Sequence, residues 1–413
     1  MNKLEIIIYN LVKDNPILKQ KIVDAYQYVL GFFPQIPLLS EFPIVERNGY
    51  FFGFHDKSPF SQDGKGLLAH RNLIGNRVVK YGDTVEIGIF TGANWQEFTK
   101  LSSTTGWNWQ LGAMLQWVGT SNECVAYNVI NRDRHMGLIK NIGTMAENLT
   151  LYPIVHTSPD GIFACSYNFS RVEFAMPGYG VVLNNEVAKK DWDDSFKIFK
   201  IANSEITYEF TLDDANSISH HKSMDGAFHF FHHALFNPSS ERVFFLHRWI
   251  DLNQRRWTRM FSVGKNGEDL YLFPMDEMVS HITWTSASEL FAYMRMPNQG
   301  DGYYLVQDRT GDAKRYFSDV TNSDGHPTMD QNRGFVITDS YPDRFRNQFL
   351  FLLNKNNGRR LNLLRSHLPS IFKRELQVDL HPRLHPFLNV ACVDSGHSGN
   401  RALLTLDFSS LNI

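Results

Sequence analysis

His233-Ala-Leu-Phe236, His281-Ile-Thr-Trp284, His326-Pro-Thr-Met329 and His381-Pro-Arg-Leu384 are four copies of one short pattern, a histidine three residues before an apolar side chain. Successive copies lie 45 to 55 residues apart, the period of a β-propeller blade. A residue at one fixed place in each blade points at the common axis, so the pattern predicts a fold and a polar centre together.

Working outward, the template is an inner strand, a turn of the Ser-Pro-Asp-Gly type, and a second strand. Earlier copies read HDKSPFSQDGKGLLAHR from His55, MLQWVGTSNECVAYNVI from Met114 and IVHTSPDGIFACSYNF from Ile154. With the four histidine copies they make seven. Asp or Asn bonds its own backbone in such turns and Gly supplies positive φ. A seven-bladed propeller of this period needs about 280 to 350 residues, and residues 48–413 supply them. The expected fold is therefore all-β, a seven-bladed β-propeller over 48–413. The strand in ALLTLDF (402–408) is expected to close the ring on an early strand, which removes the sheet edges.

The first 47 residues read differently. Apolar spacing predicts two amphipathic helices, about 3–13 and 17–32, forming an N-terminal helical segment over 1–47. The stretch is too polar to span a bilayer and makes a poor signal peptide. It is read as a cap on the propeller, with contact to a membrane surface as the weaker alternative.

The 413 residues carry a net charge of -2, with 43% hydrophobic, 14% aromatic and 20% charged residues. That balance excludes the basic footprint of a nucleic-acid binder. Three cysteines without a C-x-x-C spacing give no disulfide framework and suggest a reducing, cytoplasmic setting. There is no Gly-x-Ser-x-Gly, no P-loop and no dinucleotide fingerprint.

Three constellations could carry chemistry. His233, His281, His326 and His381 occupy equivalent inner-strand positions, with His55 and His156 on the same strand face. Converging imidazoles suit Zn²⁺ or Mn²⁺, or they bond neighbouring blades and close the channel. Cys392 and His397 could complete a metal shell, or be ordinary strand residues. The second constellation joins NRDRHMG (131–137) to VHTSPDG (155–161), with Arg132, Arg134, Arg171 and Tyr179 nearby. Adjacent blades could bring His135 and His156 to one end of the channel. Arg beside a carboxylate acidifies the neighbouring carbon proton, and His or Tyr can remove it. The plain alternative is that these arginines meet surface carboxylates and Tyr179 packs on a loop. The third is HHKSMDGAFHFFHHALFN with five histidines, followed by Arg248 and Trp249 in FLHRW. Strand alternation puts His229 and His233 on one face and His232 on the other. Arg248 with Trp249 could hold an acidic sugar.

DGHPTMDQNRGFVITDSYPD, LQVDLHPRL…CVDSGHSGNR, FLHRW and SRVEFAMPGYG resemble segments of seven-bladed propeller polysaccharide lyases, chiefly the ulvan-lyase-like class and more distantly oligogalacturonate lyases. The resemblance spans most of residues 50–410. It implies cleavage of uronate-containing glycans by β-elimination and a divalent metal, Zn²⁺ or Mn²⁺. By motif it implies His135 and His156 as the catalytic pair, with Tyr179 and Arg171 on a matching loop. His233, His281, His326 and His381 are the implied metal ligands, and Arg132, Arg248, Trp249 and His55 the substrate contacts. This chain departs from the pattern in two blades. Leu384-His385-Pro386 and Met329-Asp330-Gln331-Asn332 stand where a tryptophan, serine and Asp-Gly turn are usual. His381-Pro382-Arg383 stands where oligogalacturonate lyases carry His-Pro-His, so one ligand of their site is missing. The reading carried forward is a carbon–oxygen lyase acting on an acidic oligo- or polysaccharide. The alternative is a non-catalytic propeller that binds a glycan or a protein during surface polysaccharide biosynthesis.

Overall fold

Seven four-stranded antiparallel units stand around a common axis in the computed structural model, one for each sequence repeat. It describes residues 22, 35–184, 194–275, 277–318, 324–330, 333–354 and 358–411. The blades cover residues 50–104, 116–149, 156–211, 228–272, 279–316, 328–367 and 383–407. The expected seven-bladed propeller is the fold.

Both ends of the chain build the ring's closure. Ile44–Asn48 pairs antiparallel with Ala402–Asp407 as the outermost strand of blade seven. Leu38–Leu39 adds a fifth, outer strand to blade six. The described part of the N-terminal segment, 35–47, is thus strand and connector belonging to the propeller rather than helix. The helices expected over 3–13 and 17–32 lie outside the described residues, Ile22 apart. Among the described residues no helix is long and apolar enough to cross a membrane.

The turns follow their chemistry. In Ser158-Pro159-Asp160-Gly161, the Asp160 carboxylate accepts from Ile162 N at 3.0 Å and Gly161 takes φ +74°. Blade seven lacks Asp-Gly, and a histidine replaces it. His385 Nδ1 accepts from Phe387 N at 3.1 Å and Leu388 N at 3.0 Å. Its ring packs on Gly64 of blade one so closely that a Cβ there would sit 2.3 Å from Nε2.

Adjacent blades are joined by side chains on their second strands. His70 Nε2 accepts from Ala113 N, Asn128 Oδ1 from Ile154 N, Asp339 from His381 N, and Asp394 from Phe52 and Gly53 N. Each satisfies the buried start of the next blade's inner strand, where no ladder partner exists. Between blades the contact is aromatic and apolar. Phe196 of blade three stacks on Phe245 of blade four at 4.2 Å, and Phe245 stacks in turn on Phe261 of its own blade at 5.5 Å.

Candidate functional site at the axis

Inner strands begin at one end of the channel, which they share with the hairpins linking second and third strands. The axial histidines stand partway along the channel, and two of their strands break register there. In blade four the pairing shifts between His232 and Ala234, leaving His233 at φ +53°. In blade five it shifts between Val279 and Ile282, around His281. His381 stands at φ +45°. Bulges of this kind re-aim side chains, and left-handed backbone in an L-residue costs about 1–2 kcal/mol. The bulge also undoes the expected alternation: His232 and His233 lie with ring centres 3.8 Å apart.

Phe54 of blade one fills the middle of the ring. It stacks on His233 at 4.5 Å and meets His381 at 5.1 Å, His326 at 5.9 Å and His281 at 6.0 Å. Beside it, His281 and His326 are 4.1 Å apart, and His326 and His381 4.3 Å. All are buried.

Carboxylates orient these rings. His326 Nδ1 lies 2.8 and 3.0 Å from the two Asp339 oxygens, and His281 Nδ1 lies 3.0 Å from Asp324. His55 Nδ1 donates to the Pro327 carbonyl at 3.1 Å. A ring that donates through Nδ1 keeps a lone pair at Nε2 when neutral. The Nε2 atoms of His55, His326 and His381 are buried without a partner among the described residues, a condition costing about 1–3 kcal/mol for each group. Burial opposes charge on His326, yet Asp339 overcomes it and holds the imidazole above its ordinary range. On His381 burial, with the charges of His326 and Arg383, wins and depresses protonation strongly.

His326, Asp379 and His381 place one ligand atom each within 4.8 Å of one another. Asp379 is itself oriented by Gln377 Nε2 at 2.9 Å. Two imidazoles and a carboxylate, with orphaned lone pairs at the centre, fit Zn²⁺ or Mn²⁺. The donor set differs from the four histidines expected. Asp379 enters it, while Asp324 holds His281 and Phe54 covers His233. Cys392 is a buried strand residue whose thiol burial pushes up to about 12. His397 bonds Ser395 at 3.0 Å, away from the axis.

A second wall comes from the long connection in blade three. The helix Phe169–Ala175 is N-capped by Asn168, which accepts from Arg171 N at 2.9 Å. The chain then folds back, and the Glu173 carboxylate accepts from Gly178 N at 2.9 Å and Gly180 N at 3.1 Å. A Cβ on Gly180 would lie 2.1 Å from the Phe169 carbonyl oxygen, so only glycine permits this return. The loop brings Tyr167 and Tyr179 onto His232, at 5.9 and 5.7 Å between ring centres. Neither ring nitrogen of His232 has a hydrogen-bond partner among the described residues. Burial, then the charge of Arg248, keeps this imidazole neutral. Arg248 is buried, with Nη1 3.5 Å from Met176 Sδ and Nε unpartnered. Burial and the charge of Arg256 push the Arg248 guanidinium down to about 9.

The other anticipated residues lie elsewhere. His135 follows the 132–133 hairpin and packs edge-on against Phe169 at 5.0 Å. His156 stands two residues before the Ser158 turn, and its Nδ1 accepts from Phe236 N at 3.3 Å. Hairpins and first turns lie at opposite ends of a blade, so the fold does not bring His135 and His156 together. Arg171 donates to the His229 carbonyl at 2.7 Å and tethers the helix to blade four. Arg132 is exposed in its hairpin at φ +48°. Trp249 is fully buried, donates to Ser223 at 2.9 Å and offers no face to a sugar. His55 is in the axial cluster.

Sequence reasoning missed Asp379, Asp324 and Asp339. Two of them carry a repeated signal, Asp324-Gly-His326-Pro327 and Asp379-Leu-His381-Pro382.

No family model and no curated protein matches the chain. Among solved structures it is similar to an oligogalacturonate lyase from Vibrio parahaemolyticus, at TM-score 0.59 and 13% identity, covering 91% of this chain and 98% of that one. The propeller domain of the Trilobed protease from Pyrococcus furiosus has TM-score 0.46 at 9% identity, covering 87% and 96%. Kuenenia stuttgartiensis hydrazine synthase has TM-score 0.47 at 11%, covering 86% and 98%. At these identities the likeness to the lyase is one of fold.

Proposed function

We propose that the protein is a lyase that opens uronate-containing glycans by β-elimination at the axial site of the propeller. The observation that carries this reading is the convergence of an unpaired neutral imidazole, His232, with the Tyr179 phenol and the Arg248 guanidinium in one buried wall. These are the three kinds of group that elimination needs.

Arg248 would face the uronate carboxylate, and its charge acidifies the proton on the adjacent carbon. His232 would take that proton. The freed electron pair forms the carbon–carbon double bond, and the bond to the glycosidic oxygen breaks. Tyr179, which burial keeps protonated, would donate its proton to the departing oxygen. His326, Asp379 and His381 would hold a divalent ion, which would supply further positive charge at the axis. This assigns the base to His232 rather than to His135 or His156. Three unpaired cysteines accord with a cytoplasmic enzyme acting on imported oligosaccharides.

The test is ultraviolet absorbance during incubation with a panel of uronate-containing glycans, because elimination creates a conjugated unsaturated uronate. Absorbance should rise with the wild type and fall at least a hundredfold in rate for His232→Ala and Tyr179→Phe. A flat trace across the panel, with folded protein and added Zn²⁺ or Mn²⁺, would sink the lyase reading and favour a binding platform.

A further inference from the structure

Beside the axial wall, at the end of the propeller where the inner strands begin, a cavity of about 310 Å³ opens between blades four and five. Its lining includes Arg248, Arg255, Arg256, Arg295, Trp257 and Glu277. Four guanidiniums thus share one cleft in a chain whose net charge is -2. Local structure places them. Arg255 and Arg256 leave the second hairpin of blade four, turned by Asp251, which accepts from Asn253 N and Arg255 N. Arg295 stands near the end of the second strand of blade five, and its N–H bonds the Met278 carbonyl across the cleft floor at 2.9 Å.

The charges are unevenly answered. Arg295 pairs with Asp301 at 2.6 Å. Glu277 is shared with His221 at 3.6 Å. The Arg256 guanidinium has no hydrogen-bond or ion-pair partner among the described residues, and the buried Nε of Arg248 has none either. Like charges gathered this way repel one another unless an anion joins them. Guanidiniums are suited to carboxylate and sulfate, whose oxygens their paired N–H groups match.

Arg248 belongs both to this cleft and to the axial wall. A chain entering the axial site with one charged sugar would lay its next sugar along Trp257 and the arginines.

We infer that the cleft of Arg255, Arg256 and Arg295 is a second anion subsite, which takes the carboxylate or sulfate ester of the sugar next to the one held at the axis. The inference rests on reading the axial site as one for uronate glycans. It makes the protein selective for chains carrying at least two adjacent charges over a single uronate.

Binding can be measured by titration calorimetry on the full chain, with galacturonate, its trisaccharide, and two uronate disaccharides that differ in one sulfate ester. Arg256→Ala and Arg255→Ala/Arg256→Ala change exposed residues, so the fold is expected to survive. The double variant should bind the trisaccharide at least tenfold more weakly and galacturonate within twofold of wild type. A larger loss for the sulfated disaccharide would identify sulfate as the group received, and a larger loss for its unsulfated partner a carboxylate. Trisaccharide and disaccharide affinities within twofold of wild type would overturn the subsite. Arginine-dependent binding without any unsaturated product would uphold the cleft and remove the lyase reading alone. Elimination of the trisaccharide at undiminished kcat/KM in the double variant would do the reverse.

Discussion

The Asp339 carboxylate grips His326 twice, through the backbone N–H at 2.8 Å and through Nδ1 at 2.8 Å. Its other oxygen accepts from His381 N at 3.0 Å. One buried side chain therefore fixes the ring of one proposed ligand and the backbone of the next. Such partners orient metal ligands and are worth about 10–100-fold in metal affinity. Asp339→Asn should keep its circular dichroism spectrum and bind Zn²⁺ or Mn²⁺ about 10–100-fold more weakly by calorimetry. Unchanged affinity would remove Asp339 from the site.

A bound ion should also stabilise the ring, because only the folded chain assembles His326, Asp379 and His381. At a hundred times its dissociation constant an ion contributes about 2.7 kcal/mol. Thermal unfolding of the chelator-treated protein should move upward on adding Zn²⁺ or Mn²⁺. The rise should vanish in His381→Ala. An equal rise in that variant would place the ion elsewhere.

Glu173 predicts a pH dependence away from the proposed metal. Burial pushes its carboxyl from 4.5 up to about 7, against the pull of the Gly178 and Gly180 N–H groups. The folded chain then holds this proton more tightly than the unfolded chain. Stability from this group is therefore fully present below about 4.5 and lost as pH rises through about 7. Glu173→Gln should flatten that slope by about 1–3 kcal/mol between those limits, read from urea midpoints of wild type and variant. Parallel curves would show that the carboxyl titrates normally.

Blades four and five are pinned by Arg242 and Asp308, both buried, with Ser262 accepting from Arg242 Nη2 at 2.9 Å. Removing one partner strands the other charge, which costs about 3–5 kcal/mol. Asp308→Ala should lose that much stability in denaturant titration. A loss under 1 kcal/mol would mean that water reaches Arg242.

Seven copies of one strand–turn–strand template made the ring legible in the sequence, because the period is a property of the chain and survives divergence of the turns. Closure by 402–408 was legible too, since a propeller must end its sheet edges. The ligand geometry was not. Period-two reasoning separated His232 from His233, and a single bulge reunited them. Nothing in the composition of HFFHHALF announces where a ladder slips. Motif matching carried His135 and His156 into one site, whereas strand direction sets them at opposite ends. Trp249 looked like a sugar platform until the neighbouring His247 and Trp257 rings covered its faces. The Asp-x-His-Pro repeat stands in the sequence, but spacing alone does not show which carboxylates fold onto the imidazoles.

The outer strand of blade seven is made first and its partner last. Ile44–Asn48 leaves the ribosome before the ring is made, and Ala402–Asp407 follows after almost the whole of it. At ordinary elongation rates of 5–20 residues per second that interval is roughly half a minute. Throughout it the early strand keeps an open hydrogen-bonding edge, because the other three strands of blade seven are not yet made. Completing the circle is thus a pairing of greatest sequence separation, the slow class of folding event. The nascent chain lives for that time as an unclosed arc, and its exposure to aggregation is decided in that window.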